Sequence, residues 1–194
     1  MKSTETLPQG YKAIYQINIK KDKKLALLLN LVALAILTVM LLVALPLVPM
    51  SSFWQGGLAK GYGRMAVLLL GLVAYIFLHE AVHGVFMRRC CTAKVRYGFT
   101  GLFAYAGSDG YYCRKDYIVI ALAPVVIWGI VLAVLNAAVP REWFYVVYLI
   151  QANNIGGAAG DMYMTWKMGK MPADILVQDT GLTMTVFGRG DEAG

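Results

Sequence analysis

The sequence predicts an all-α integral-membrane fold: four transmembrane helices with a small membrane-associated β element on the cytoplasmic side. Three observations carry this. The chain of 194 residues is 59% hydrophobic and only 15% charged, whereas soluble domains run near a quarter charged. Its apolar residues gather into runs of about 20 or more, the length a helix needs to cross the hydrocarbon core. Its basic residues lie in short clusters between those runs. The length suits one integral-membrane domain, residues 1–194. The net charge of +7 is dispersed rather than concentrated in one patch, which argues against a nucleic-acid partner and for the lipid bilayer.

The spans are expected at about residues 25–48, 65–87, 117–139 and 143–166. The first is too long for a signal-peptide core and lacks a cleavage site, so it reads as a retained anchor. The fourth is the weakest by hydropathy, because Gln151, Asn153, Asn154, a glycine–alanine series and Asp161 occupy its second half. Pro46, Pro49 and Pro124 are taken to mark span ends. Orientation follows from the basic residues. With the N-terminus inside, segments 1–24, 88–116 and 167–194 hold 6, 6 and 3 Lys plus Arg, against 2 and 1 in loops 49–64 and 140–142. The positive-inside rule then puts a multi-pass protein in the cell membrane with both termini cytoplasmic.

Three stretches alternate as half-buried strands do: Ala13, Tyr15, Ile17 and Ile19, then parts of 94–99 and 182–187. The glycine-flanked apolar segment within 93–107 is too short to span as a helix, so it is expected to be an extended or re-entrant hairpin. Residues 188–194 have the composition of a solvated tail. Cys90, Cys91 and Cys113 are odd in number, and adjacent cysteines chelate poorly. They are read as reduced structural thiols.

The two histidines of the chain stand as His79-Glu80-Ala81-Val82-His83 inside the second span. On a helix, positions i and i+4 share a face one turn apart, so both imidazoles can reach one metal ion, with Glu80 beside it to take a proton from water. Ionisable groups inside a bilayer are costly, at least ~2.5–3.5 kcal/mol each on insertion scales, and default to function. A catalytic Zn²⁺ site needs a third protein ligand. Asp161, the other acidic residue within the spans, lies five residues from the end of its span as His83 lies four from the end of its own. Both spans run in the same direction, so Asp161 is the expected third ligand. The stretch Asn153-Asn154-Ile155-Gly156-Gly157-Ala158-Ala159-Gly160 permits close helix packing or local unwinding. Either asparagine can hold a substrate strand or an oxyanion, or join helices by hydrogen bonds.

The order of HExxH, an asparagine–glycine stretch and a later aspartate resembles the site-2 protease class of intramembrane metalloproteases. Over roughly residues 11–187 the chain resembles a bacterial family of four-span proteins labelled "putative zincin peptidase", on its HEAVH core, its Ala121-Leu122-Ala123-Pro124 segment and its NNIGGAAGD segment. The resemblance implies zinc on His79, His83 and Asp161, Glu80 as the catalytic base, and a substrate-binding role for Asn153. Gly156 stands where site-2 proteases usually have proline, and Met162 where they have glycine. The implied function is a zinc-dependent intramembrane endopeptidase, a metalloprotease of the HExxH type. It would cleave membrane-protein or peptide substrates near the cytoplasmic face. The alternative is a non-catalytic, zinc-stabilised membrane scaffold or binding protein. Glu80 separates the two, because a structural site has no need of a carboxylate between its histidines.

Overall fold

A computed structural model describes residues 2–18, 22–101 and 104–189. Among these residues, five α-helices and six strands follow one another in the order β1 (Tyr11–Ile17), α1 (Lys23–Leu47), α2 (Leu58–Cys90), β2 (Val95–Phe99), β3 (Ala104–Ser108), β4 (Tyr112–Cys113), α3 (Arg114–Ala138), α4 (Phe144–Gly157), α5 (Ala159–Gly169), β5 (Leu176–Asp179) and β6 (Met184–Arg189). Three helices, α1, α2 and α3, are long and apolar enough to cross a membrane. Their outer surfaces are largely aliphatic: Leu47 is 67% exposed, Leu70 70% and Val134 65%. Water would penalise so continuous an apolar surface, whereas lipid does not. The chain is a membrane protein on these grounds.

Two departures from the sequence expectation bear on the site. Helix α2 begins at Leu58 rather than near 65 and runs for 33 residues, about 50 Å at 1.5 Å per residue. Arg64 ties its glycine-rich start to the turn that precedes it. That side chain is buried and donates from Nη1 to the carbonyls of Phe53 at 2.7 Å and Gln55 at 2.8 Å. The segment 143–166 is not one helix. A 3₁₀ turn, Arg141–Trp143, leads into α4, which ends at Gly157, and α5 starts at Ala159. Consecutive glycines weaken the helix there, and the break leaves Asp161 in the first turn of α5.

The chain divides into two compact units. One comprises residues up to Leu27, then Glu80–Pro124 and Gly160 onward. It holds all six strands, which is more β structure than the sequence suggested. The antiparallel sheet has the order β1-β6-β5-β4, and β2 pairs with β3 as a separate hairpin. Strands β1, β2 and β6 coincide with the alternating stretches. Strands β4 and β5 are too short for a readable alternation. Gly188 and Arg189, expected in a tail, pair with Lys12 and Tyr11. Ile19, Leu102, Phe103 and residues 190–194 of the expected strand, hairpin and tail lie outside the described residues. Tyr112, Ile120, Ile175, Leu176, Val177 and Val186 are fully buried in this unit.

The other unit comprises Leu28–His79 and Val125–Ala159. Its core gathers Ala44, Phe53, Leu68, Tyr145 and Val146, with a second cluster of Tyr75, Leu132 and Val147. Tyr148 donates to the carbonyl of Met40 at 2.8 Å. A Cβ at Gly156 would stand 3.1 Å from the Ala33 carbonyl oxygen, so a glycine is what lets α4 come this close to the backbone of α1.

Candidate metal centre

The HExxH motif lies on an unbroken stretch of α2, so helical geometry alone stacks its polar groups on one face. One donor atom each from His79, Glu80 and His83 lies within 4.8 Å of the others. What each imidazole can offer depends on which ring nitrogen carries the proton, and its neighbours decide that.

His83 is 8% exposed, and its Nδ1 lies 2.9 Å from the backbone carbonyl of Ile120 in α3. A carbonyl only accepts, so Nδ1–H is the donor and Nε2 is the nitrogen that can turn to a metal. The carbonyl is available for a local reason. Pro124 sits inside α3, four residues after Ile120, and has no N–H to close the i→i−4 bond. Pro124 therefore does not mark a span end, as the sequence suggested: it lies ten residues inside α3 and leaves the Ile120 carbonyl to His83. On the other histidine, the Tyr75 hydroxyl lies 2.8 Å from His79 Nδ1 and 2.6 Å from Asn154 Oδ1.

Asp161 comes within 3.6 Å of His83, measured from Oδ1 to Nε2. Two donors each about 2.1 Å from one tetrahedral zinc lie roughly 3.4 Å apart, so this separation fits two ligands of one ion. The first turn of a helix also favours a carboxylate through the exposed N–H groups and the helix dipole. Glu80 is held from outside its helix: the Ala106 N–H of β3 donates to its Oε2 at 2.7 Å. In the hairpin Ala106 faces Tyr97. Its N–H points away from β2, to the outer edge of the strand.

The β3 edge is in turn seated on the turn between β5 and β6. A Cβ at Gly107 would come within 2.2 Å of the Thr180 backbone, and one at Gly181 within 3.0 Å of the Ala106 oxygen. Asp179 holds the turn, accepting from the Tyr117 hydroxyl at 2.7 Å and from the Gly181 N–H at 2.8 Å. Burial pushes the Asp179 carboxyl above the usual carboxylate range despite these two donated bonds. One helical turn after Glu80, Gly84 leaves room for the ring and hydroxyl of Tyr97 against α2.

Of the two candidate substrate-binding asparagines, Asn153 is partly exposed, whereas Asn154 is fully buried. The Asn154 amide is engaged at both ends, with Nδ2 donating to the Val125 carbonyl at 3.1 Å. Sequence reasoning missed Tyr75, Ala106, Tyr117 and Asp179. Tyr75 alone had a usable signal, since it stands one helical turn before His79. The others are brought in by tertiary structure.

The donors His79, Glu80 and His83 could together hold a metal ion such as zinc; Asp161, expected as a ligand, lies near His83 but outside that group of three. Bound there, zinc supplies Lewis acidity, activating water and polarising a carbonyl. No curated protein and no solved structure matches the chain. A family model described as "Putative zincin peptidase" matches residues 72–176, a stretch that includes Tyr75, the HExxH motif, the β2–β3 hairpin, Pro124 and Asp161. The chain belongs to that family.

Proposed function

We propose that this protein is a zinc-dependent intramembrane endopeptidase, with His79, His83 and Asp161 as the zinc ligands and Glu80 as the general base. The observation that carries the reading is the placement of Glu80. Its carboxylate stands between two histidines and is oriented by the Ala106 N–H at 2.7 Å, an arrangement a purely structural metal site does not require. A carboxylate so held can take a proton from water and pass it to a leaving amine. A scissile amide must be presented in extended form, since a helix keeps its carbonyls in hydrogen bonds. With the edge of β3 taken up by Glu80 and the β5–β6 turn, β2 is the strand proposed to pair with a substrate strand, and Asn153 is the amide proposed to hold it.

In this reading α1, α2, α3 and the α4–α5 pair span the cell membrane, with both termini cytoplasmic. The 15-to-3 division of basic residues supports that topology. Substrates are membrane proteins or their remnants, cut near the cytoplasmic face. The test is Glu80→Gln in the full-length protein. Zinc content and thermal stability should match wild type, while hydrolysis falls by ~10²–10⁴-fold. Unchanged cleavage products in cells would leave the zinc a structural role and the protein a scaffold.

A further inference from the structure

We propose that Tyr75 and Asn154 are positioning residues that set the tautomer of His79 through a hydrogen-bond relay of fixed polarity. The inference rests on the zinc reading above and concerns how one ligand is prepared for the metal.

The polarity is set at the end farthest from His79. Gln151 directs Nε2 to the Gly129 carbonyl at 3.3 Å, which turns its Oε1 toward Asn154. Asn154 Nδ2 donates to that oxygen at 3.4 Å and to the Val125 carbonyl at 3.1 Å. Both acceptors are oxygens without a proton, so the orientation of the Asn154 amide is determined by chemistry. Its Oδ1 must then face Tyr75, 2.6 Å away. An amide oxygen only accepts, so the single hydroxyl proton of Tyr75 is donated to Asn154. Toward His79 Nδ1, at 2.8 Å, Tyr75 offers only a lone pair. The bond forms when His79 carries its proton on Nδ1, and Nε2 is then the bare nitrogen.

The relay is held rigidly. Asn154 is 0% exposed and Tyr75 6% exposed, with the Tyr75 ring packed against Leu132, Val147 and Trp128. Groups that orient a ligand's second nitrogen are typically worth 10–100-fold in metal affinity.

The test uses purified full-length protein labelled with ¹⁵N-histidine. With two histidines in the chain, a His83→Ala comparison assigns the ring signals of His79. Metal-free wild type should show His79 protonated on Nδ1. Tyr75→Phe, which removes only the hydroxyl, should give mixed tautomers and a zinc Kd 10–100-fold weaker by chelator competition. Asn154→Leu frees the Tyr75 proton to point at His79, so it should shift the ring toward the Nε2–H form and weaken zinc as well. The double variant should cost less than the two single losses combined, as for residues in one network. A wild-type His79 protonated on Nε2 overturns the relay even if no variant folds. So does a Tyr75→Phe protein with unchanged tautomer and unchanged Kd. Zinc bound with no cleavage would instead overturn the peptidase reading and leave the relay intact.

Discussion

The imidazole of His83 donates from Nδ1 to the carbonyl of Ile120 at 2.9 Å, and that carbonyl is available because Pro124 cannot form the helical bond to it. Pro124→Ala restores the N–H and removes a residue that costs about 3 kcal/mol relative to alanine inside a helix. The helix bond then competes with His83. Thermal stability should hold or rise while zinc affinity falls roughly tenfold, the lower end of what a ligand's supporting bond contributes. Scanning calorimetry beside chelator competition checks both. Wild-type zinc affinity in a stabilised variant would remove the proline from the site.

A backbone substitution tests how Glu80 is held. Ala106→Pro deletes the N–H that reaches Oε2 but leaves the β2–β3 ladder intact, since that N–H faces away from β2. A hydrogen bond to a charged group is worth about 1.5–3 kcal/mol, so hydrolysis should fall by roughly 10–100-fold with zinc content unchanged. Loss of zinc together with activity would mean that the hairpin shapes the whole site rather than the carboxylate.

Metal content distinguishes the ligands from the base. Purified protein should carry roughly one zinc per chain, and His79→Ala or His83→Ala should lose most of it, because two remaining ligands bind far more weakly. Asp161, 3.6 Å from His83, should behave as a ligand: in Asp161→Asn, zinc and activity fall together. Full zinc retention in the double histidine variant would rule out this centre.

The seat of β3 on the β5–β6 turn should be intolerant of a single methyl group. In Gly107→Ala the new Cβ meets the Thr180 backbone at 2.2 Å, and backbone cannot rotate out of the way as a side chain can. Overpacking of this kind costs typically 1–3 kcal/mol. The turn, and with it the bond between Tyr117 and Asp179, should be displaced. A lowered Tm with altered protease sensitivity near residue 180 is the expected result.

Topology follows from labelling. A reporter fused after Gly194 should read cytoplasmic, and Ser51→Cys, an exposed and near-isosteric position, should react with an external thiol reagent. Gly57 is unsuited to a label, because its φ of +98° strains any side chain. An external C-terminus together with external labelling at position 51 would imply an odd number of spans and overturn the four-span reading.

Most of the helical architecture was legible before any coordinates, because length and hydropathy are local properties of a span. The HExxH pair was legible for the same reason: a helix converts a spacing of four into one face. Asp161 could be proposed from depth, yet its distance to His83 is a tertiary fact. So is the break before it, which a run of glycines and alanines allows but does not require. Pro124 shows the limit best. From sequence it is a helix breaker, and only the packing of α2 beside α3 within one unit turns its missing N–H into a bound histidine. Ala106 carries no side-chain signal at all, since it acts through its backbone. Asn154 was legible as a polar group in an apolar segment, but whether it faces substrate or a tyrosine depends on neighbours far along the chain. Side-chain type and a spacing of four nominate His79 and His83 as a metal-holding pair, because both properties are local to one helix. Which nitrogen each histidine presents, and which way Glu80 points, is a matter of packing, because hydrogen bonds from backbone and side chains far along the chain control both.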